Sequence, residues 1–152
     1  FDNVAFGLRR AGVPEGEIES IIGPVLKKIG LGGSELKIPS ELSGGMQKRV
    51  GFARAICLSP SLILYDDPTA GLDPVLSDAI ADIILEIRQT TGCTSIVATH
   101  DLKVAEKIAD TVVLLYDSKI VFNGPGESFF GGESEYARQF ISGDIEGPIA
   151  VY

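Results

Sequence analysis

The residues best suited to chemistry fall in three short runs and around one histidine. Leu42-Ser43-Gly44-Gly45-Met46-Gln47-Lys48-Arg49 is the first. A serine and two glycines stand where a helix is predicted to begin, so backbone N–H groups are left free at its positive end. Glycines let an anion approach the backbone closely and the hydroxyl adds a donor, which suits a phosphate. Taken alone, the run is equally well a capped helix after a tight turn. The second run is Ser61-Leu62-Ile63-Leu64-Tyr65-Asp66-Asp67-Pro68. A carboxylate at the tip of a buried strand, here Asp66, can hold Mg²⁺ beside a nucleotide phosphate, usually through its waters. The next carboxylate, Asp67, can orient or deprotonate an attacking water. On its own, such a pair is more often a solvated, inert strand end. Ala70-Gly71-Leu72-Asp73 follows directly, and Thr99-His100-Asp101 closes a later strand. A lone histidine is more often structural than catalytic. This one stands just past the carboxyl end of a predicted parallel strand, where ligands bind in open α/β sheets. From there an imidazole could donate to a terminal phosphate oxygen.

Several elements must position these residues. Residues 4–9 predict a short helix, broken by Gly12-Val13-Pro14. From Glu15, Ile18, Ile22, Val25 and Ile29 recur at helical spacing. Gly23-Pro24 interrupts that run, which predicts a kink or two short helices. The stretch from Gly30 to Pro39 reads as loop. Ser43 is the expected N-cap of a helix running to about Leu58, with Met46, Val50, Ala53 and Cys57 as its apolar stripe. Leu62–Tyr65 is a continuous apolar run, as in a strand buried on both faces of a parallel sheet. Pro74 suits the first turn of the next helix, whose Leu76, Ile80, Ile83 and Ile87 share a face. Thr94–Ala98 reads as a second buried strand, and Asp101 as the cap of a helix through Ile108. Thr111–Tyr116 and Lys119–Phe122 predict a hairpin around Asp117-Ser118. A short helix near Ser134–Ile141 precedes a tail containing Gly and Pro. Strand, helix, strand, helix is the order of an open α/β layer fold, here behind a helical segment.

Composition narrows the classes. The chain has 152 residues, 45% of them hydrophobic and 22% charged, enough for a sizeable core in one domain or a large piece of one. No apolar run approaches the length of a membrane-crossing helix. Thirteen basic and twenty-one acidic side chains leave a net charge of −8, which argues against nucleic acid as a partner. The charge is uneven. Residues 1–60 hold eight basic and six acidic groups, whereas the remainder holds five and fifteen. A neutral-to-basic helical segment, 1–60, is therefore expected to join an acidic α/β segment, 61–152. Cys57 and Cys93 are too few for a disulfide framework or, with one histidine, a zinc cluster, which fits a reducing cytosolic compartment. The sequence opens on Phe1 and its single methionine is Met46, a beginning that predicts a piece of a longer protein.

In their order and spacing, the four segments resemble the ATPase subunits of ABC transporters. Leu42–Gln47 matches the signature motif of that family and Leu62–Asp66 its Walker B strand. Ala70–Asp73 looks like the D-loop and His100 like the switch histidine. Phe1–Phe6 is similar to the stretch after the glutamine loop, and Val113–Phe122 to the late strand pair. The resemblance implies an α/β class: a partial ABC-ATPase fold, with a helical subdomain followed by a mainly parallel sheet, flanking helices and a late β-hairpin. It also implies ATP and Mg²⁺ as cofactors. Ser43, Gly44, Gly45, Gln47 and Asp73 would contact nucleotide or the dimer partner, Asp66 the metal, and Asp67 with His100 the attacking water and γ-phosphate. The partners implied are a transmembrane permease subunit and a second copy of the ATPase, at the cytoplasmic face of the inner membrane. More narrowly, Phe1–Leu8, Pro39–Arg49 and the tail Gln139-Phe140 with Glu146-Gly147-Pro148-Ile149 resemble ATPases of Mla/Mce-type phospholipid transport systems.

Two departures from the family stand out. The phosphate-binding P-loop, Gly-x-x-x-x-Gly-Lys-Ser/Thr, is absent, and no Gly-Lys dipeptide occurs. The P-loop, adenine-stacking loop and glutamine loop would lie upstream of Phe1, so these 152 residues alone are expected neither to bind nor to hydrolyse ATP normally. Strands missing from the sheet would leave apolar edges that need a partner. The second departure is Asp67 where the family usually has glutamate. Its carboxylate is one methylene shorter, drawn back by about 1.5 Å. Misplacement by about 1 Å can cost about 10²-fold in rate, so slow hydrolysis is expected. The alternatives are an ATPase of another ABC importer, for an amino acid or ion; a chromosome or DNA-repair ABC ATPase, disfavoured by the charge and the lack of heptads; and a bare interaction module.

Overall fold

The computed structural model describes residues 1–150, so the last two residues of the expected segment 61–152 lie outside the described residues. Packing divides the chain into two compact units, one of residues 1–99 and one from His100 onward. The composition change near Pro60 falls inside the first.

The first unit begins with α1 (Asp2–Arg10) and α2 (Glu15–Lys28). Val4, Ala5 and Leu8 of α1 are buried, as are Ile18, Ile22 and Leu26 of α2. Arg9 bridges Asp2 and Glu15 on the surface, at 2.9 and 2.6 Å. Helix α2 runs unbroken through Pro24, where a kink or break was expected. Proline removes one N–H and crowds the residue before it. Here that residue is Gly23, which has no Cβ to clash. A loop and a short 3₁₀ turn (Pro39–Glu41) lead to α3 (Gly44–Ile56). Arg49 of α3 donates to the Ile29 carbonyl at 3.4 Å and so caps the end of α2. The buried face of α3 is Gly45, Phe52, Ala53, Ile56 and Cys57, turned from the expected stripe so that Met46 and Val50 are only partly covered.

Strand β1 (Leu62–Asp66), helix α4 (Pro74–Thr91) and strand β2 (Thr94–Ala98) complete this unit. The strands pair in parallel with Leu62 opposite Thr94 and Asp66 opposite Ala98. Ile63 and Tyr65 are buried, Phe52 packing edge-on against Tyr65 at 5.6 Å. The other face is open: Leu64 is 70% exposed and Ile96 56%. Burial of both faces was expected from the unbroken apolar run. Phe52 of α3 covers the Tyr65 side of the two-stranded sheet. Helix α4 buries Ile80, Ile83, Ile84 and Ile87, whereas Leu76 at its start is partly exposed.

The second unit holds α5 (Leu102–Ile108), β3 (Thr111–Tyr116), β4 (Lys119–Pro125), α6 (Gly126–Phe130) and α7 (Glu135–Ser142). Asp101 caps α5 through the Val104 N–H at 3.2 Å. Strands β3 and β4 form the expected antiparallel hairpin, with Asp117 and Ser118 both at positive φ (47° and 57°) in the tight turn that this twist favours. Leu114, Phe129 and Ala137 make the core, with Phe122 and Phe130 edge-on to Phe129 at 5.2 and 5.1 Å. Helix α6 starts at Gly126, where a Cβ would lie 2.7 Å from the Ala109 carbonyl oxygen. Gln139, buried on α7, clasps the tail. Its amide donates to the Asp144 and Ile149 carbonyls at 3.1 and 2.9 Å and accepts from the Ile149 N–H at 2.6 Å.

Candidate functional site

Helix α3 starts as the Ser-Gly-Gly run predicts. Ser43 is extended at the N-cap, its Oγ accepting from the Met46 N–H at 3.4 Å and its carbonyl from the Gln47 N–H at 2.9 Å. The Gly44 and Gly45 N–H groups find no partner among the described residues. No acidic side chain occupies the first turn, so the positive end of the helix is not neutralised from within. Gly44 is exposed, while Gly45 is buried with Leu76 of α4 nearby. The Gln47 amide donates to the Pro39 and Leu42 carbonyls at 3.0 and 3.2 Å and so holds the preceding turn against the helix.

At the far end of β1, Asp66 is exposed and Asp67 half-buried. Asp67 takes φ of +43°, a left-handed conformation that aspartate tolerates better than most side chains. Its N–H donates to the Ala98 carbonyl at 2.8 Å, continuing the parallel ladder one residue past the strand. Its carbonyl accepts from the Ala70 N–H at 3.1 Å and from Lys48 Nζ at 3.4 Å. Asp73, the last residue of the next loop, caps α4.

Between α3 and β1 lies a cavity of about 510 Å³ lined by residues of both elements and by the loop from Pro68 to Leu72. Three expected site residues border it: Gly44, Gln47 and Asp66. Ser43 and Gly45 flank Gly44 at the same helix start, and Asp67 follows Asp66. Asp73 is engaged at the start of α4, and His100 is the exposed first residue of the second unit. Lys48, which sequence reasoning passed over, supplies the cation on the cavity wall. Tyr65 lines the same wall. Burial pushes its hydroxyl above the ordinary phenol range, with the nearby Ser95 hydroxyl acting the other way, and neither reaches full hydrogen-bond geometry.

Among the described residues, no three His, Cys, Asp or Glu side chains form a metal cage. The donors at the tip of β1 nevertheless fit Mg²⁺, which takes one or two carboxylates and completes its shell with waters and phosphate oxygens. No helix among the described residues is long and apolar enough to cross a membrane.

A parallel strand pair with a helix packed on one face, an open helix start and carboxylates at a strand tip make up a portion of an α/β fold. Known proteins sharpen that class. The ABC transporter family model matches residues 5–70. The probable ribonucleotide transport ATP-binding protein mkl of Mycobacterium leprae is 39% identical over 152 residues, covering 99% of this chain and 44% of the relative. The intermembrane phospholipid transport system ATP-binding protein MlaF of Haemophilus influenzae is 38% identical over 150 residues, covering 98% and 57%. The solved structure of cbiO1 from Clostridium perfringens, part of the ABC transporter complex cbiONQ, superposes with a TM-score of 0.78 at 29% identity, over 91% of this chain and 55% of that one. Residues 5–70 thus match the ABC transporter family, and nearly the whole chain is similar to transport ATP-binding proteins. It spans about half the length of the curated relatives it matches.

Proposed function

We propose that this chain is the signature-bearing portion of an ATPase subunit that energises an ABC transporter of phospholipid. The observation that carries the reading is the unneutralised start of α3 at Ser43–Gly45, set across a cavity from the carboxylate tip of β1. Two subunits face head to tail in this reading. The Ser43–Gly45 amides and hydroxyl of one copy close on the γ-phosphate of a nucleotide held by the other, with Gln47 keeping the turn in place. Asp66 holds the Mg²⁺, whose charge offsets that of the phosphates. Asp67 and His100 orient the attacking water and the terminal phosphate, and Asp73 faces the partner copy. The helical segment 1–60 contacts the permease, so closure and release move the membrane subunit. The subunit sits peripherally at the cytoplasmic face of the inner membrane. Without a P-loop, the 152 residues by themselves bind ATP weakly or not at all.

The phospholipid cargo rests on the likeness to MlaF and on the tail that Gln139 clasps. The relative named for ribonucleotide transport supports a second cargo class. Purifying the complete transporter and extracting bound lipid separates them. Stoichiometric phospholipid is expected, and a lipid-free complex whose ATP turnover responds to ribonucleotides would overturn the cargo. The chain alone, titrated with Mg-ATP in a calorimeter, should show no saturable binding in the micromolar range. Asp67→Glu in the complete subunit should raise turnover by about tenfold or more, because the longer side chain restores about 1.5 Å of reach. Unchanged turnover would remove the argument from carboxylate length.

A further inference from the structure

We infer that Lys48 is a positioning residue that ties the helix start reading one nucleotide to the carboxylate acting on another. The inference rests on the ATPase reading above and adds a route within one chain. Lys48 stands one turn beyond Gly44 on α3, and its ammonium donates to the Asp67 carbonyl at 3.4 Å. That carbonyl also accepts from the Ala70 N–H, while the Asp67 N–H is held by Ala98. Its own sheet and turn therefore supply two backbone contacts of Asp67, and α3 supplies another. The residue so held has φ of +43°, away from the broad minima of an L-residue. A left-handed residue persists because its surroundings over-determine it, so its side-chain direction depends on those contacts.

Lys48 is partly buried and borders the cavity together with Asp66. Its contact is to a carbonyl oxygen. A carbonyl contact acts on the backbone of Asp67 and not on its carboxylate. When an anion draws the Ser43–Gly45 amides toward it, α3 moves as a rigid rod and Lys48 carries the displacement to Asp67. Arginine can keep this contact. Methionine keeps the stem and loses the donor.

The test compares K48M and K48R. In the complete subunit, K48M should lower kcat about tenfold, with KM for ATP within about twofold, and K48R should recover most of the loss. A K48M enzyme with normal kcat overturns the tether. So does a raised KM at unchanged kcat, which would make Lys48 a direct nucleotide contact. In the 152-residue chain, K48M should shift the Asp67 carbonyl carbon resonance and speed exchange of the Ala70 amide, while Val75 and Leu76 stay unmoved. If those signals do not change, the contact is absent in solution and the inference fails, even where the ATPase reading holds. If the wild-type complete subunit lacks ATPase activity while those signals do shift, it is the ATPase reading that fails and the contact that stands.

Discussion

Helices α3 and α4 both begin after an extended residue with a short polar side chain, yet the two starts are used in opposite ways. At α4, one carboxylate oxygen of Asp73 accepts from the N–H groups of Val75 and Leu76 at 2.9 and 3.0 Å, and the Asp73 carbonyl takes that of Ser77. The donors of that first turn and its positive end are answered from within. At α3, Ser43 offers a single neutral acceptor at 3.4 Å, and two glycine amides stay open. A start saturated by its own side chain holds a helix in place. A start left unsaturated retains its attraction for an anion from outside, at the cost of a weaker cap. Of the two positions that the family resemblance assigns to the nucleotide sandwich, the α3 start is thus the one left open to an anion. Asp73 must first serve as a cap, whatever else it does toward a second copy.

The largest effect expected from this contrast is on catalysis. In the complete subunit, Ser43→Ala should cut ATP turnover by about 10²-fold, the scale of losing one preorganised donor to a phosphoryl oxygen. Its thermal midpoint should hardly move, because the bond given up is long. A large fall in stability with turnover preserved would reverse the roles assigned to the two starts.

Asp73→Ala should do the opposite. It strands two N–H groups and should cost about 1 kcal/mol of folding stability, read by denaturant unfolding of the chain. Asp73→Asn, a comparably good cap, should restore most of it. If Asp73→Asn restores stability but not turnover in the complete subunit, the charge of Asp73 acts beyond its helix.

A weaker but more local effect should appear with pyrophosphate added to the 152-residue chain. Amide resonances of Gly44 and Gly45 should move at millimolar ligand and those of Val75 and Leu76 should not. Equal movement at both helix starts would mean that the difference in capping has no consequence for anions.

How much of this was readable in the sequence depended on the range over which each feature is decided. Ser43 and Asp101 as caps, Asp117-Ser118 as a hairpin turn and the strands at Leu62–Tyr65 and Thr94–Ala98 follow from local chemistry, and the structure bears them out. Pro24 misled because its cost depends on the residue before it, and Gly23 removes the clash. The strands misled differently. Four apolar residues in a row say that both faces suit burial, but not what covers them, and Leu64 and Ile96 remain exposed. Asp73 was read for its place in a loop motif, although an Asp before Pro at a helix start is also a cap signal. Lys48 and Gln139 were out of reach for a further reason. The first acts on a carbonyl nineteen residues away and the second on a tail ten residues on, and neither spacing has a period that sequence alone could flag.

The opposite end of α3 supplies the smallest effect and a check that its start is what anions respond to. Cys57 caps that end, only 6% exposed, its N–H bonded to the Ala53 carbonyl. Burial pushes its thiol from an ordinary 9.0 up to about 11. The folded chain therefore keeps the thiol proton over a range in which the unfolded chain loses it. Stability from this source is complete below about pH 9 and is lost as pH rises through about 11. Tyr65, also raised by burial, adds to the decline from its own ordinary value of 10.0 upward. Cys57→Ala should flatten the early part of the alkaline fall in denaturant midpoint, and Tyr65→Phe the later part. Below pH 9, neither substitution should alter the pyrophosphate response at Gly44 and Gly45. A changed response would mean that anion binding at the start of α3 is coupled through the helix to its buried end, and the contrast between the two helix starts would then have to include the whole of α3.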